Sequence, residues 1–259
     1  MKPPLRSFHV TTDDKGSQVE VAISETPGLK AENLSLATWG SSFVLANLLH
    51  TWKITDENSK PDHVNGDGAQ ISDPLPVLEL GAGTSLVGIS AAAVWQVPVV
   101  VTDLEPLIPG LAQNISANTT LLEKRSASVT CGTLDWSKPT FLQLAGHQAT
   151  VISARKTKAK IILAADTVYA EDHPELLTKT ITAWLAHGPD SRAIFCYVLR
   201  HSYIDIIRDL WEQLETIGLE CIQEGQKDAD PDKWDDVAPF EWCVWRWKGV
   251  EGPTRNSAR

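Results

Sequence analysis

A chain of 259 residues, 42% of them hydrophobic, can form one large α/β domain or two small ones and has ample apolar content for a buried core. Its formal charge of −10 repels phosphate backbones and attracts basic partners, which disfavours nucleic acid as a ligand; the plainer role of such a charge is to keep the protein in solution. No apolar run reaches the roughly 18 residues a membrane helix needs, residues 1–10 lack the apolar stretch of a signal peptide, and the four cysteines (Cys131, Cys196, Cys221, Cys243) are too far apart for a zinc or redox motif. These features lead us to expect a reduced, monomeric protein of the cytoplasm or nucleus with no nucleic-acid or membrane partner.

Residues 5–23 alternate apolar and polar side chains on either side of Asp13-Asp14-Lys15-Gly16, the pattern of a β-hairpin. After Thr38-Trp39-Gly40, apolar residues at helical spacing over 42–49 predict a helix capped by Ser41 or Ser42. The polar stretch 53–74, with its Gly, Asp, Asn and Pro, reads as a surface insertion. From residue 75 onward, strands at 76–80, 97–101, 127–131, 161–165 and 193–199 alternate with helices at 86–95, 108–121 and 175–187. That alternation predicts a doubly wound, mainly parallel sheet. A helix at 203–216 follows, and strands at 218–223 and 242–247 are joined by a loop too short for a crossover helix, so they should pair antiparallel. The expected organisation is an accessory hairpin (1–37), a main domain (38–250) and a frayed tail (251–259).

Four segments carry chemistry. Leu78-Glu79-Leu80-Gly81-Ala82-Gly83-Thr84 ends a strand and opens a helix, at the carboxyl edge where open α/β sheets bind ligands. A nicotinamide fingerprint would place a glycine where this chain has Leu86, and a P-loop would need a following Gly-Lys-Ser/Thr; neither is present. Asp103, about 20 residues beyond the glycines at the end of the next strand, is placed to accept both ribose hydroxyls of an adenosine cofactor, or to cap the helix after Pro106. In Leu134-Asp135-Trp136 the indole could cover an adenine face and Asp135 accept from its amino group, or the tryptophan could simply pack. Ala164-Ala165-Asp166-Thr167-Val168-Tyr169 sends an acidic residue and an aromatic one into the same cleft, with small Ala165 leaving room for a cofactor. The seven histidines form no ligand-spaced pair, so no metal is expected.

Together these segments resemble methyltransferase family 16, the seven-strand protein methyltransferases that include lysine methyltransferases of valosin-containing protein, chaperones, calmodulin and elongation factors. The resemblance also draws on Pro4-Leu5-Arg6-Ser7-Phe8, Thr38-Trp39-Gly40 and Val101-Thr102-Asp103-Leu104-Glu105; its most diagnostic element is Asp166-Thr167-Val168-Tyr169, matching the family's D/E-x-x-Y/F segment. It implies a Rossmann-like class I methyltransferase with a seven-stranded, mainly parallel sheet whose last strand is antiparallel. It further implies S-adenosyl-L-methionine as cofactor, held by Trp39, Gly81, Ala82, Gly83, Asp103, Trp136 and Ala165. Asp166 and Tyr169 would line the methyl-acceptor site. The implied substrate is an accessible lysine on a cytosolic protein such as a translation factor or chaperone. The alternatives are a histidine or small-molecule methyltransferase, and a non-catalytic binding protein on the same fold. Ser85 stands where many members have glycine, at a position expected to lie already in the helix. Arg200 ends Cys196-Tyr197-Val198-Leu199-Arg200, which resembles a family segment and marks it as a substrate-side candidate or a surface ion pair. Substrate choice is expected to lie in the hairpin, in 53–74 and in 227–239.

Overall fold

The computed structural model describes residues 4–25, 29–31, 34–52, 54, 75–146, 150–228 and 238–250. The expected insertion apart from residue 54, most of the 227–239 loop and the tail lie outside these residues. Strands β1 (Leu5–Thr11) and β2 (Gln18–Ser24) form the hairpin, followed by the two-residue strands β3 (Lys30–Ala31) and β4 (Leu34–Ser35) and by α1 (Gly40–Leu48). Then come β5 (Leu75–Leu80), α2 (Leu86–Trp95), β6 (Pro98–Asp103), α3 (Ile108–Ala117), α4 (Thr119–Lys124) and β7 (Ser128–Thr133). The chain continues through β8 (Phe141–Leu144), β9 (Thr150–Ser153), β10 (Ala159–Ala165), α5 (His173–Trp184) and β11 (Arg192–Val198). It closes with α6 (Ile204–Thr216), β12 (Leu219–Lys227) and β13 (Phe240–Trp247).

Strands β5 to β13 make one sheet in the order β12-β13-β11-β10-β5-β6-β7-β8-β9. The inner strands β11, β10, β5, β6 and β7 are mutually parallel, while β13 runs antiparallel to β11 and pairs antiparallel with β12, as the short connection required. Among the described residues the sheet holds the seven expected strands and two more, β8 and β9. The added hairpin β8–β9 is built from the four-residue segments Phe-Leu-Gln-Leu and Thr-Val-Ile-Ser, too short to signal strand by alternation. It joins the edge of β7 where Gly132 leaves room: a Cβ there would meet the Gln143 carbonyl oxygen at 2.7 Å.

Both faces of the sheet are covered, which explains the continuous apolar runs of β5 and β10. Val77, Val101 and Leu163 face α1, α2 and α3 through Leu45, Val87 and Leu111. Leu78, Ile162 and Phe195 face α5 and α6 through Ile181, Trp184 and Leu210. Helix α1 begins at Gly40 rather than after a serine cap: Trp39 occupies the cap position without a side-chain hydrogen bond, and the buried Ser41 hydroxyl has no partner. Packing decides the boundary, because the Phe240 ring lies against Gly40 where a Cβ would stand. Likewise the helix expected over 108–121 is two helices, α3 and α4. At the junction the Asn118 side chain leaves the helix surface to bond the hairpin.

The hairpin forms a further layer on the helices. Phe8, Val10, Val19, Val21 and Ile23 bury one face against Ala46 of α1 and Leu86, Ile89 and Ala93 of α2. Burial of five such side chains is worth roughly 10 kcal/mol before chain entropy is subtracted. Two asparagines then fix the register. Asn118 accepts from the Ala22 N–H (2.9 Å) and donates to the Ala22 carbonyl (2.7 Å). Asn114, fully buried, accepts from the Ser24 N–H (2.8 Å) and donates to the Ser24 and Thr84 carbonyls (3.1 and 3.0 Å). Because Thr84 closes the glycine turn after β5, Asn114 couples hairpin, helix and turn. Asn114→Ala should therefore cost about 3 kcal/mol of stability, read as a lowered urea midpoint at unchanged m-value, since it strands buried peptide groups that no water reaches. A loss below 1 kcal/mol would show that the hairpin holds its place by apolar packing alone.

Candidate active site

From β5 the chain winds outward through β6 and β7, then returns to place β10 on the other side of β5. The two connections diverge at the carboxyl ends of β5 and β10, and a crevice must open there. It does, as a cleft of about 370 Å³, within the range of small-molecule sites. Trp39, Gly81, Ala82, Gly83, Asp103, Trp136, Ala165, Asp166 and Tyr169 all line it, so these expected site residues meet in one place, Arg200 excepted.

The floor is the turn after β5. Gly81 and Gly83 have φ of +61° and +52°, a left-handed region costly for residues with a Cβ. A Cβ on Gly81 would stand 2.9 Å from Thr167 Cγ2 and 3.1 Å from Trp136 Cζ2, so a side chain there would fill the cradle. The Ala82 N–H donates to the Thr102 carbonyl (2.9 Å), which pins the turn to β6. Asp103 completes the pin: its Oδ2 accepts from the Gly83 N–H and its Oδ1 from the Leu104 N–H, both at 2.8 Å. These two bonds fix the orientation of a carboxylate that lines the cleft.

One wall is aromatic. His173, buried at the start of α5, stands edge-on to both Trp136 (centroids 5.7 Å apart, 84°) and Tyr169 (4.3 Å, 80°). Its Nδ1 lies 2.8 Å from the Thr167 carbonyl oxygen. Across the cleft, Trp39 keeps 40% of its surface exposed at the lip. Asp166 follows β10 with φ +57°, its N–H donating to the Cys196 carbonyl at 2.9 Å. A non-glycine residue held in this conformation at a strand end stores of order 1 kcal/mol of strain, a common mark of functional positions. Asp135 accepts from the Ser137 N–H (2.9 Å) and hydroxyl (2.6 Å), fixing the loop beneath Trp136. Among the described residues no group of three or more histidine, cysteine, aspartate or glutamate side chains could hold a metal ion.

Comparison with known proteins decides the family. The family model described as lysine methyltransferase matches residues 18–205. The chain belongs to this family. It is 35% identical over 175 residues to protein-lysine N-methyltransferase EFM2 of Saccharomyces cerevisiae, a match covering 62% of this chain and 36% of that protein. With protein-lysine N-methyltransferase rrg1 of Schizosaccharomyces pombe it shares 28% identity over 233 residues, 89% of this chain and 68% of the relative. The chain thus spans about a third of the first relative's length and about two thirds of the second's. The family's enzymes use S-adenosylmethionine, and this cleft fits that cofactor in three respects: a cradle kept clear by Gly81, a pre-oriented carboxylate at Asp103, and an indole at Trp136.

Ser85, where many family members have glycine, is not inside the helix. It precedes α2 with φ +64°, and its buried hydroxyl has no partner. Gly88, the next glycine along, lets α2 approach the sheet: a Cβ there would run into Val101 and the Glu79 carboxyl. Arg200 does not line the cleft; its guanidinium lies over the Tyr203 ring, 5.8 Å from the centroid. The sequence reading missed Thr167 as a lining residue, and also Asp172, His173 and Leu176 from the first turn of α5. The readable signal was their spacing of three to seven residues beyond Tyr169, where the helix had been expected to start two residues later.

Glu79, one step before the turn, is buried with Oε2 lacking a partner. Burial pushes its carboxyl well above the usual range; the Gly88 N–H opposes that shift, and the Asp103 charge adds to it.

Two outcomes follow. Ser85→Gly should raise stability by about 1 kcal/mol, because release of left-handed strain and of an orphan hydroxyl outweighs the added freedom of the unfolded chain; an unchanged thermal midpoint would show that the site relaxes around serine. The folded chain holds the Glu79 proton that the unfolded chain releases above pH 4.5, so wild-type stability should fall as pH rises from there, by up to about 1.4 kcal/mol per unit, toward the raised folded value. Denaturant midpoints from pH 5 to 8 should show Glu79→Gln, which keeps an acceptor for Gly88, gaining steadily on the wild type, whereas parallel curves would contradict a protonated buried carboxyl.

Proposed function

We propose that this protein transfers a methyl group from S-adenosylmethionine to the side-chain amine of a lysine in another protein, a cytoplasmic partner such as a translation factor or chaperone. One observation carries the reading: the Gly81–Gly83 turn with its Asp103 pin, and the Asp166–Tyr169 segment, open into the same cleft. The relatives named as protein-lysine N-methyltransferases agree with it.

When bound, the cofactor supplies a methyl group on a sulfonium, ready for in-line displacement with little covalent help. The chain's own task is therefore alignment in a dry cleft. Asp103, oriented by the Gly83 and Leu104 N–H groups, would hold the ribose hydroxyls. Trp136 would hold the adenine by its indole face, and Ala165, small and buried, would leave room for it. On the acceptor side a lysine amine, with a reference pKa of about 10.4, must lose a proton before it attacks. Apolar walls at Trp39 and Tyr169 favour the neutral amine by desolvation, whereas the Asp166 carboxylate favours the ammonium. Asp166 thus anchors and aligns the incoming cation; it is not a strong base. Trp39 and Tyr169 hold the lysine stem and head by apolar and cation–π contact.

The test is transfer of a labelled methyl group from the cofactor to proteins of a lysate, with the product located by mass spectrometry. We expect label on lysine, and Asp166→Ala to lower transfer by about 100-fold, the scale of a lost positioning contact, with cofactor affinity nearly unchanged. Label confined to histidine, arginine or a chain terminus would remove the lysine assignment.

A further inference from the structure

The charged side chains lining the cleft are all of one sign, Asp103, Asp135, Asp166 and Asp172, and none of the described lysines or arginines lines it. Asp103 is engaged by two N–H groups of the cofactor turn, and Asp135 by Ser137. Asp166 anchors the reacting lysine in the function proposed above, on which this inference rests. Asp172 is left without a role. It occupies the cap position of α5, where an aspartate ordinarily turns its carboxylate onto the backbone N–H groups of the first turn, yet it makes no such bond. Pro174, in that first turn, removes one of those donors. The Asp172 side chain is exposed and has no hydrogen bond or ion pair with any described residue. The same end of the cleft holds a second unmet group: Thr167 is only 3% exposed, lines the cleft, and has no partner for its Oγ1.

We infer that the acceptor end receives two cations, the reacting lysine at Asp166 and a neighbouring lysine or arginine of the substrate chain at Asp172, so that the methylated lysine lies within a basic segment. Glu171, exposed beside Asp172, and the net charge of −10 act in the same direction by drawing such a segment toward the cleft. Asp172 is thereby a specificity residue, touching the substrate away from the reacting atoms.

The experiment uses fluorescent nonapeptides with a central lysine flanked by either arginines or glutamines, titrated into the full chain saturated with S-adenosylhomocysteine. The arginine-flanked peptide should bind about ten-fold tighter at low salt, and the advantage should shrink toward unity as salt shortens the screening length. Asp172→Asn should remove about three- to five-fold of that advantage, the upper range for an exposed ion pair, and Asp172→Glu should restore it. Neither change should alter binding of the glutamine-flanked peptide. Equal affinity of the two peptides, or an Asp172→Asn loss shared by both, would overturn the inference. Because no methyl transfer is measured, its failure is distinct from that of the proposed reaction: label on another residue type alongside a persistent arginine preference would sink the reaction and leave the basic-segment preference standing.

Discussion

The hydrogen bonds from the Gly83 and Leu104 N–H groups to the Asp103 carboxylate hold the site together, because they tie the end of β6 to the turn that leaves β5. Without that tie the turn would be an ordinary glycine-rich loop. With it, the left-handed glycines become a fixed floor, and Ala82, Thr102 and Asp103 form one rigid corner at the switch point of the sheet. Asn114 extends the same corner outward by bonding Thr84 on one side and Ser24 on the other. A hairpin more than fifty residues earlier in the chain is thus mechanically continuous with the ligand floor.

Much of this could be read from residue patterns, and the exceptions share a cause. Strands β5, β6, β10 and β11 are long apolar runs buried on both faces, and runs of that kind announce themselves. The glycine turn, Asp103, Trp136 and Asp166–Tyr169 were legible because each sits at a strand end, where topology alone brings residues together. What escaped depended on tertiary contact. Helix α1 starts where Phe240 packs on Gly40, not at a capping serine, and α3 ends because Asn118 is recruited by Ala22. The strands β8 and β9 are stabilised by the neighbour they add to, so four residues apiece were too few to read.

The site also collects features that are unfavourable in themselves. Asp166 and Ser85 adopt left-handed backbone conformations, Glu79 buries a carboxyl, and the hydroxyls of Ser85 and Thr167 lack partners. All five groups belong to the two segments that flank the cleft. Such local cost persists only where the surrounding scaffold over-determines the geometry, and here nine strands, two helical layers and a docked hairpin do so. The strained backbone at Asp166 then delivers a carboxylate to a fixed place without relying on a flexible side chain.

The asparagine clamps that hold the hairpin have a consequence for how the chain is made. Ser24 and Asn114 are 90 residues apart, so the hairpin leaves the ribosome well before the helix that fixes its register. At ordinary rates of synthesis that interval is on the order of ten seconds. Until α2 is made and can cover them, Phe8, Val10, Val19, Val21 and Ile23 present an apolar stripe on a two-stranded ribbon, which alone is marginally stable at best. The hairpin is therefore synthesised well before the contacts that fix its register exist.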